Sequence, residues 1–213
     1  MPLSKFRYIV VEGPIGVGKT SLARRLSERL GSGLVLERPE QNPFLARFYQ
    51  DMPRYALPTQ LFFLFQRISQ LRELSQLDLF NRVTVADFLL EKDPLFARLT
   101  LSADEMHLYQ SIYDALKPQA PRPDLVIYLQ AATETLYERV RRRGAEFERA
   151  ISADYLAILG DSYTRFFHHY SGGPVLIVNS EHLNFVRDDR DLELLVKRID
   201  SMRGGREFFN FGE

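Results

Sequence analysis

A glycine-rich loop between a strand and a helix constrains the fold of this chain more than any other feature. Residues 8–11 are apolar and mostly β-branched, which predicts a buried strand. The sequence then reads Gly13-x-x-x-x-Gly18-Lys19-Thr20 and continues into a helical pattern. A chance glycine turn before a helix is the alternative, but the complete Gly-Lys-Thr ending and both correct flanks favour a P-loop.

This loop predicts how a phosphate is held. Backbone N–H groups turn inward around an anion, and the helix N-terminus adds its partial positive charge. Lys19 is expected to contact the outer phosphates, and the Thr20 hydroxyl is expected to bind Mg²⁺. The expected nucleotide-binding residues of the loop are Gly13, Pro14, Ile15, Gly16, Val17, Gly18, Lys19 and Thr20.

The composition narrows the class of protein. A length of 213 residues suits one domain, residues 1–213, and the charges balance at 28 basic and 28 acidic residues, so nothing favours nucleic acid or an anionic membrane as a partner. No apolar run is long enough to span a bilayer, and the first residues lack the apolar core of a signal peptide. Cysteine is absent, which excludes disulfides and thiolate metal sites. We expect a cytoplasmic protein.

Acidic residues end the next two predicted strands. Residues 34–36 lead to Glu37, and residues 82–86 lead to Asp87. Ligands bind beyond the carboxyl ends of strands in open α/β sheets, so both acids are expected near the phosphates. Glu37 could accept a proton from an attacking hydroxyl, or it could be a solvated loop acid or a helix cap. Asp87 could reach Mg²⁺ directly or through water and could also be an N-cap.

Two later segments carry further candidates. Residues 58–79 form one predicted long helix, in which Gln60, Phe63 and Arg67 mix polar and aromatic character, as in a pocket for a flat base. From the residues alone, an ordinary amphipathic helix with a solvated face is favoured there. Arg139 and Arg143 share one helix face before a glycine, which predicts a phosphate-binding lid at about 139–151, although a solvated basic face or a surface for an acidic partner is the alternative.

Apolar strands alternate with helices along the whole chain. The strands are predicted near residues 8, 34, 83, 125 and 175, and the pattern indicates an α/β fold with a doubly wound, five-stranded parallel sheet flanked by helices. The tail at 203–211 is apolar enough to dock on its own chain or on a partner.

Over about residues 8–200 the sequence resembles the deoxynucleoside kinase family, whose members carry a P-loop kinase fold. The loop at 13–20 is close to that family's GxxGxGKS/T, and Glu37 with the residues that follow matches its E-P-V-x-x-x-N segment. The arginines at 139 and 143, followed by Gly144, match its lid. The stretches 42–45, 87–89 and 92–97 look most like bacterial deoxyadenosine/deoxyguanosine kinases.

The resemblance implies a role for each matching residue. Glu37 would be the catalytic base, Arg139 and Arg143 would clamp the phosphates, and Tyr49 with Glu148 would hold the sugar 3′-hydroxyl. Gln60 and Arg67 would read the base, which would lie between Phe63 and Phe88. Asn184 and Phe185 would pack on the ATP adenine.

There are two departures from the family pattern. The family has (D/E)-R-S where this chain has Asp87-Phe88-Leu89, so the arginine that positions Glu37 is missing, and Arg38 or an arginine of the lid is the candidate replacement. The lid's usual R-G-R reads Arg143-Gly144-Ala145.

The resemblance therefore implies ATP- and Mg²⁺-dependent phosphorylation of the 5′-hydroxyl of a deoxyribonucleoside, in nucleotide salvage. A purine nucleoside is the expected acceptor, and a homodimer formed through the long helix is the expected assembly. One alternative is a nucleoside-monophosphate kinase of the thymidylate kinase type, with Arg38, Arg54 and Arg67 on the acceptor's phosphate. Another is a nucleotide-dependent regulatory ATPase, which would lack a pocket for a second substrate.

Overall fold

The computed structural model describes residues 5–77, 83–117, 120–181, 183 and 188–210, and they form a single parallel sheet with helices on both faces. The strands are β1 Tyr8–Glu12, β2 Gly33–Val35, β3 Thr84–Ala86, β4 Leu125–Gln130, β5 Val175–Asn179 and β6 Arg206–Phe209. The helices are α1 Lys19–Leu30, α2 Leu45–Phe48, α3 Met52–Leu77, α4 Asp93–Thr100, α5 Ala103–Leu116, α6 Thr133–Arg143, α7 Ala153–His169 and α8 Asp189–Ser201.

The sheet order is β2-β3-β1-β4-β5-β6, and every pair is parallel. The central strand β1 lies between β3 and β4, with Val10 in register with Ala86 on one side and with Val126 on the other. The chain reverses its direction of winding beside β1, and ligands bind at such switch points, beyond the carboxyl ends of the strands. The P-loop follows β1 at this edge.

Both faces of the sheet are covered, which is why β1 is a continuous run of buried residues. Ile9 and Val11 point into the apolar cluster that includes residues of α1 and α8. Tyr8 and Val10 point into a second cluster built largely from α3, α5 and α7. This two-sided packing fixes the carboxyl end of β1 and therefore the start of the P-loop.

The sheet has a sixth strand that the sequence did not predict. β6 pairs with β5 from Val175 with Arg206 to Val178 with Phe209, so this part of the tail docks on its own chain. The side chains of β6 are alternately exposed and half-buried, and such an edge strand carries no continuous apolar run. Its identification depends on pairing with a strand far away in sequence.

The helical region between β2 and β3 also differs from the prediction. The aromatic-rich residues 43–55 predict a short helix closed by proline, and residues 58–79 predict a separate long helix. Instead, α2 is short and α3 already begins at Met52, with Pro53 in its first turn and Pro58 inside it. Proline is preorganised for the first turn of a helix, so Pro53 starts α3 rather than ending the preceding helix. Among the described residues, no helix has the length and apolar character needed to cross a membrane.

Candidate active site

The P-loop adopts a backbone that only glycine tolerates at its contact points. Gly16 has φ 87°, and a Cβ there would lie 2.6 Å from the carbonyl oxygen of Leu136. The helix α1 begins at Lys19, whose Nζ donates to the carbonyl oxygens of Gly13, at 2.8 Å, and Pro14, at 3.2 Å. Burial, followed by the nearby charge of another lysine, lowers the pKa of Lys19 to about 8. The loop is thus shaped for an anion, with Lys19 lying across it.

Asp87 joins the P-loop helix to the end of β2. Its Oδ2 accepts a hydrogen bond from the Thr20 hydroxyl at 2.6 Å, and its Oδ1 accepts one from the backbone N–H of Glu37 at 2.7 Å. Burial and the charge of Glu37 raise the pKa of Asp87. Thr20 and Asp87 therefore lie side by side, as the sequence predicted, and Asp87 also fixes the backbone of Glu37.

Arg67 pairs with two carboxylates in the centre of the site. Its Nε donates to Glu37 Oε1 at 2.8 Å, and its other guanidinium nitrogens pair with Glu37 and Asp93. Arg67 is only 4% exposed. Arg67, from α3, is therefore the arginine that contacts Glu37, where the sequence suggested Arg38 or an arginine of the lid.

The charges in this cluster shift its pKa values in opposite directions. Burial raises the pKa of Glu37, but Arg67, Lys92 and Lys19 outweigh it and lower that pKa to about 2. Burial raises the pKa of Asp93 to about 7, against the opposing effect of Arg67. Burial lowers the pKa of Arg67, but Asp93 and Glu37 outweigh it, so the net pKa lies above its usual value. Glu37 is consequently a carboxylate at neutral pH, and Arg67 is a cation.

A cavity of about 110 Å³ opens beside Glu37, between α2, α3 and the segment after α6. Gln60 is buried, lines this cavity and donates to the hydroxyl of Thr100 at 3.4 Å. The ring of Phe63 lies 4.9 Å from the Arg67 guanidinium. Tyr49 and Glu148, the predicted sugar-binding residues, also line this cavity.

Phe88 does not line this cavity, contrary to the prediction that it stacks on a base. It is completely buried in the apolar cluster that α3, α5 and α7 share, because its side chain points into the sheet packing just after β3. Phe96, from α4, lines the cavity together with Phe63. A ring from a helix therefore occupies the part of the cavity for which the sequence suggested a ring from the strand end.

The two predicted lid arginines have different surroundings. The Nε of Arg143 donates to Glu148 at 2.9 Å, and its side chain is 51% exposed at the opening of the cavity. Arg139 instead donates to the carbonyl oxygens of Val17, at 3.2 Å, and Ser180, at 2.9 Å. Burial lowers the pKa of Arg139. Arg143 thus lies at the cavity beside Glu37, whereas Arg139 ties α6 to the P-loop.

A second and larger cavity, of about 630 Å³, lies on the other side of the P-loop. The loop, α1, α6 and the segment after β5 surround it, and Arg139, Arg142 and Arg143 contribute positive charge. The two cavities share Gly16, Lys19, Thr20 and Arg143. Asn184 and Phe185, predicted to contact adenine, lie outside the described residues.

The chain that carries these two cavities is similar to proteins of a known family over most of its length. The family model described as "Deoxynucleoside kinase" matches residues 9–202. The chain belongs to the deoxynucleoside kinase family. It is therefore an ATP-dependent phosphotransferase acting on a deoxynucleoside, as its resemblance implied.

Individual relatives match the sequence of this deoxynucleoside kinase over almost their whole length. It is 32% identical to a deoxyguanosine kinase of Bacillus subtilis (strain 168), over 92% of this chain and 97% of that protein. It is 29% identical to a deoxyadenosine kinase of Lactobacillus acidophilus, over 90% and 94%. A solved structure of deoxyadenosine kinase from M. mycoides with the products dCMP and dCDP bound is similar at TM-score 0.80 and 25% identity, covering 92% of this chain and all of that one. The predicted P-loop kinase fold is confirmed.

Three charged residues of this kinase site were missed in the sequence. Glu12 ends β1, Lys92 closes a short 3-10 helix, Leu90–Lys92, and Asp93 begins α4. All three are buried. An acid at the end of a buried strand was a usable signal for Glu12, since the same signal led to Glu37 and Asp87. The Lys92-Asp93 pair had no such signal, because it lies in a helix start that looks solvent-exposed in sequence.

Proposed function

We propose that this deoxynucleoside kinase transfers the γ-phosphate of Mg²⁺-bound ATP to the 5′-hydroxyl of a purine deoxyribonucleoside, in nucleotide salvage. The observation that carries the proposal is the meeting of the two cavities at Lys19, Thr20 and Arg143. A phosphoryl group on the P-loop would face both a donor nucleotide on one side and an acceptor hydroxyl on the other. Such positioning accounts for most of the catalysis of phosphoryl transfer.

The larger cavity is the donor side. Lys19 would leave the loop carbonyls and bind the outer phosphates of ATP, and the exposed Arg143 would add positive charge where the phosphoryl group transfers. Thr20 and Asp87 would hold Mg²⁺, since their adjacent hydroxyl and carboxylate oxygens are the hard donors that this ion prefers. When bound, Mg²⁺ neutralises charge on the phosphate oxygens.

The smaller cavity is the acceptor side. Phe63 and Phe96 supply aromatic surface for a base, and Gln60 supplies a buried amide for its edge. Tyr49 and Glu148 line the part of the cavity next to Arg143 and would hold the sugar 3′-hydroxyl. A purine is favoured because the relatives at 32% and 29% identity are named for deoxyguanosine and deoxyadenosine.

Glu37 would orient the acceptor hydroxyl and take its proton. With a pKa of about 2, it is a weak base, so it accepts a hydrogen bond from the hydroxyl in the ground state. The proton transfers only as the new O–P bond forms, when the hydroxyl has become acidic. This order suits a loose transition state with little bonding to the nucleophile.

The arginines around the acceptor cavity disfavour a nucleoside-monophosphate kinase. Arg67 lines the cavity, but Glu37 and Asp93 already neutralise it. Arg38 and Arg54 are exposed. An acceptor that carries its own phosphate would bring a further negative charge next to Glu37, where Lys19 and Arg143 would already serve the donor phosphates and Lys92 pairs with Glu12.

The test is an acceptor panel of the four deoxynucleosides and their 5′-monophosphates with ATP and Mg²⁺, followed by separation of the products. We expect deoxyguanosine and deoxyadenosine to give 5′-monophosphates with the highest kcat/KM, and the Lys19→Met variant to give none. Phosphorylation of the monophosphates in preference to the nucleosides would overturn the proposal, and a higher kcat/KM for a pyrimidine would overturn the purine preference.

Assembly and location complete the proposal. A homodimer through α3 is consistent with the exposed aromatic ring of Phe65 on that helix. A cytoplasmic location follows from the sequence expectation alone. Analytical ultracentrifugation of the purified kinase tests the dimer, and a monomer at micromolar concentration would contradict it.

A further inference from the structure

Lys92 is a buried cation at the acceptor side of the site. Its side chain is 2% exposed and lines the acceptor cavity. Its Nζ lies 3.4 Å from both carboxylate oxygens of Glu12 and 3.9 Å from Glu37 Oε1. It also lies 5.4 Å from the centre of the Phe96 ring. A fully buried lysine is rare, and this one lies between Glu12 and the predicted catalytic carboxylate of Glu37.

Glu12 fixes the position of the Lys92 ammonium group. This carboxylate is completely buried. It accepts hydrogen bonds from the backbone N–H of Gly13 at 2.9 Å, from the backbone N–H of Leu89 at 2.7 Å and from the Tyr163 hydroxyl at 3.0 Å. With so many fixed donors, Glu12 has little freedom, and the ammonium group that it pairs with is fixed as well.

Burying the ion pair of Lys92 and Glu12 costs desolvation energy that apolar side chains in the same space would not cost. Apolar residues of similar volume stabilise a protein as well as a buried ion pair does, or better. The charges are therefore more readily explained by what they do to Glu37. When ATP binds and Lys19 turns to the phosphates, Arg67 and Lys92 are the cations left beside Glu37 among the described residues.

We propose that Lys92, fixed by Glu12, is a positioning residue that takes the place of the arginine missing after Asp87. It orients the Glu37 carboxylate toward the acceptor hydroxyl and keeps a positive charge beside the phosphoryl group as it transfers. This role rests on the proposed function, since it concerns the same acceptor site. The missing arginine is thus replaced by two cations, Arg67 from α3 and Lys92 from the start of α4.

The test compares Lys92→Met, which keeps the length of the side chain without its charge, with Lys92→Arg. The best deoxynucleoside of the wild-type kinase and ATP are the substrates, and Lys197→Met, on the exposed face of α8, is the control. We expect Lys92→Met to lower kcat by about 100-fold, in the range seen when a preorganised charge or donor is removed. The KM values and the calorimetric Kd values of both substrates should stay within about threefold.

The kcat of Lys92→Arg distinguishes a positioning role of Lys92 from a packing role. Lys92→Arg should regain about tenfold in kcat over Lys92→Met, because it restores the charge. A kcat of Lys92→Met within about threefold of wild type, or a loss confined to KM, would overturn the role.

A double variant covers the possibility that Lys92→Met unfolds because it leaves Glu12 unpaired. Glu12→Gln/Lys92→Met removes both charges, and we expect it to fold, by circular dichroism, and to remain as slow as Lys92→Met. Wild-type kcat in the double variant would show that Lys92 only neutralises Glu12 and would overturn the proposal. A wild-type protein inactive with every deoxynucleoside would instead overturn the proposed function, and this role with it.

Discussion

The Arg67→Met variant tests the charge cluster at the centre of the site. Arg67 is almost fully buried and pairs with Glu37 and Asp93. Methionine keeps an unbranched stem of similar volume but removes the charge. The variant therefore leaves two carboxylates in the interior, with Lys92 as the nearest remaining cation of Glu37.

The expected loss of stability follows from the burial of the partners. Removing one member of a buried pair costs about 3–5 kcal/mol, because the other charge stays in a medium of low polarity. Lys92 still compensates part of the charge of Glu37 at 3.9 Å, so we expect about 3 kcal/mol at neutral pH or above. For a chain of this size, that loss lowers Tm by about 6–12 °C.

The effect should depend on pH through Asp93. Burial already raises the pKa of Asp93 from 3.8 to about 7 in the folded state. A carboxyl group with a raised folded pKa contributes stability that is fully present below its unfolded pKa and is lost as the pH rises through the folded pKa. Without Arg67 the folded pKa rises further, so the defect of Arg67→Met should be smaller at about pH 5 than at about pH 8.

Urea denaturation followed by circular dichroism at both pH values measures this difference. Arg67→Met/Asp93→Asn should recover a large part of the loss at the higher pH, because no unpaired charge remains at position 93. Arg165→Met, on an exposed part of α7, is the matched control and should unfold like the wild type. If Arg67→Met lies within about 1 kcal/mol of wild type at both pH values, the ion pairs are not what holds this cluster together.

Three further variants test the P-loop, the hydrogen bond from Tyr163 to Glu12 and the role of Arg143. Gly13→Ala should weaken ATP binding more than about tenfold by calorimetry, because a Cβ at φ 151° would lie 2.5 Å from the carbonyl oxygen of Leu129; unchanged binding would refute the close approach. Tyr163→Phe should lower the free energy of unfolding by about 1 kcal/mol in urea, since Glu12 keeps its other donors, and no loss would mean that this hydrogen bond is not net stabilising. Arg143→Ala should reduce kcat at least about tenfold at unchanged Tm, and a change in Tm without a change in kcat would make Arg143 structural.

Local sequence signals were sufficient for the P-loop, the buried strands and the helix that carries Arg139 and Arg143. Their residues are neighbours in sequence, and the physical cause is local: glycines with positive φ, apolar runs and a left-handed Gly144 that ends α6 at φ 66°. Glu37 and Asp87 were also predictable, because the end of a parallel strand fixes which edge of the sheet a residue reaches.

Long-range pairing explains what the sequence could not predict. Arg67 meets Glu37 across 30 residues, and Lys92 meets Glu12 across 80, so neither pair leaves a periodic or local pattern. The placement of Phe88 depended on whether its ring faced the cavity or the core, and the residues alone did not distinguish the two. β6 was missed because an edge strand with exposed side chains is recognised only by its partner.

The kinetics of Glu37→Gln test whether Glu37 activates the acceptor hydroxyl. The side chain keeps its shape and can still receive a hydrogen bond from Arg67, but it can no longer take the proton of the acceptor hydroxyl. We expect kcat with the best deoxynucleoside to fall by about 100-fold or more, while the calorimetric Kd of the nucleoside stays within about threefold. Turnover close to that of the wild type would show that Glu37 is not the group that activates the acceptor.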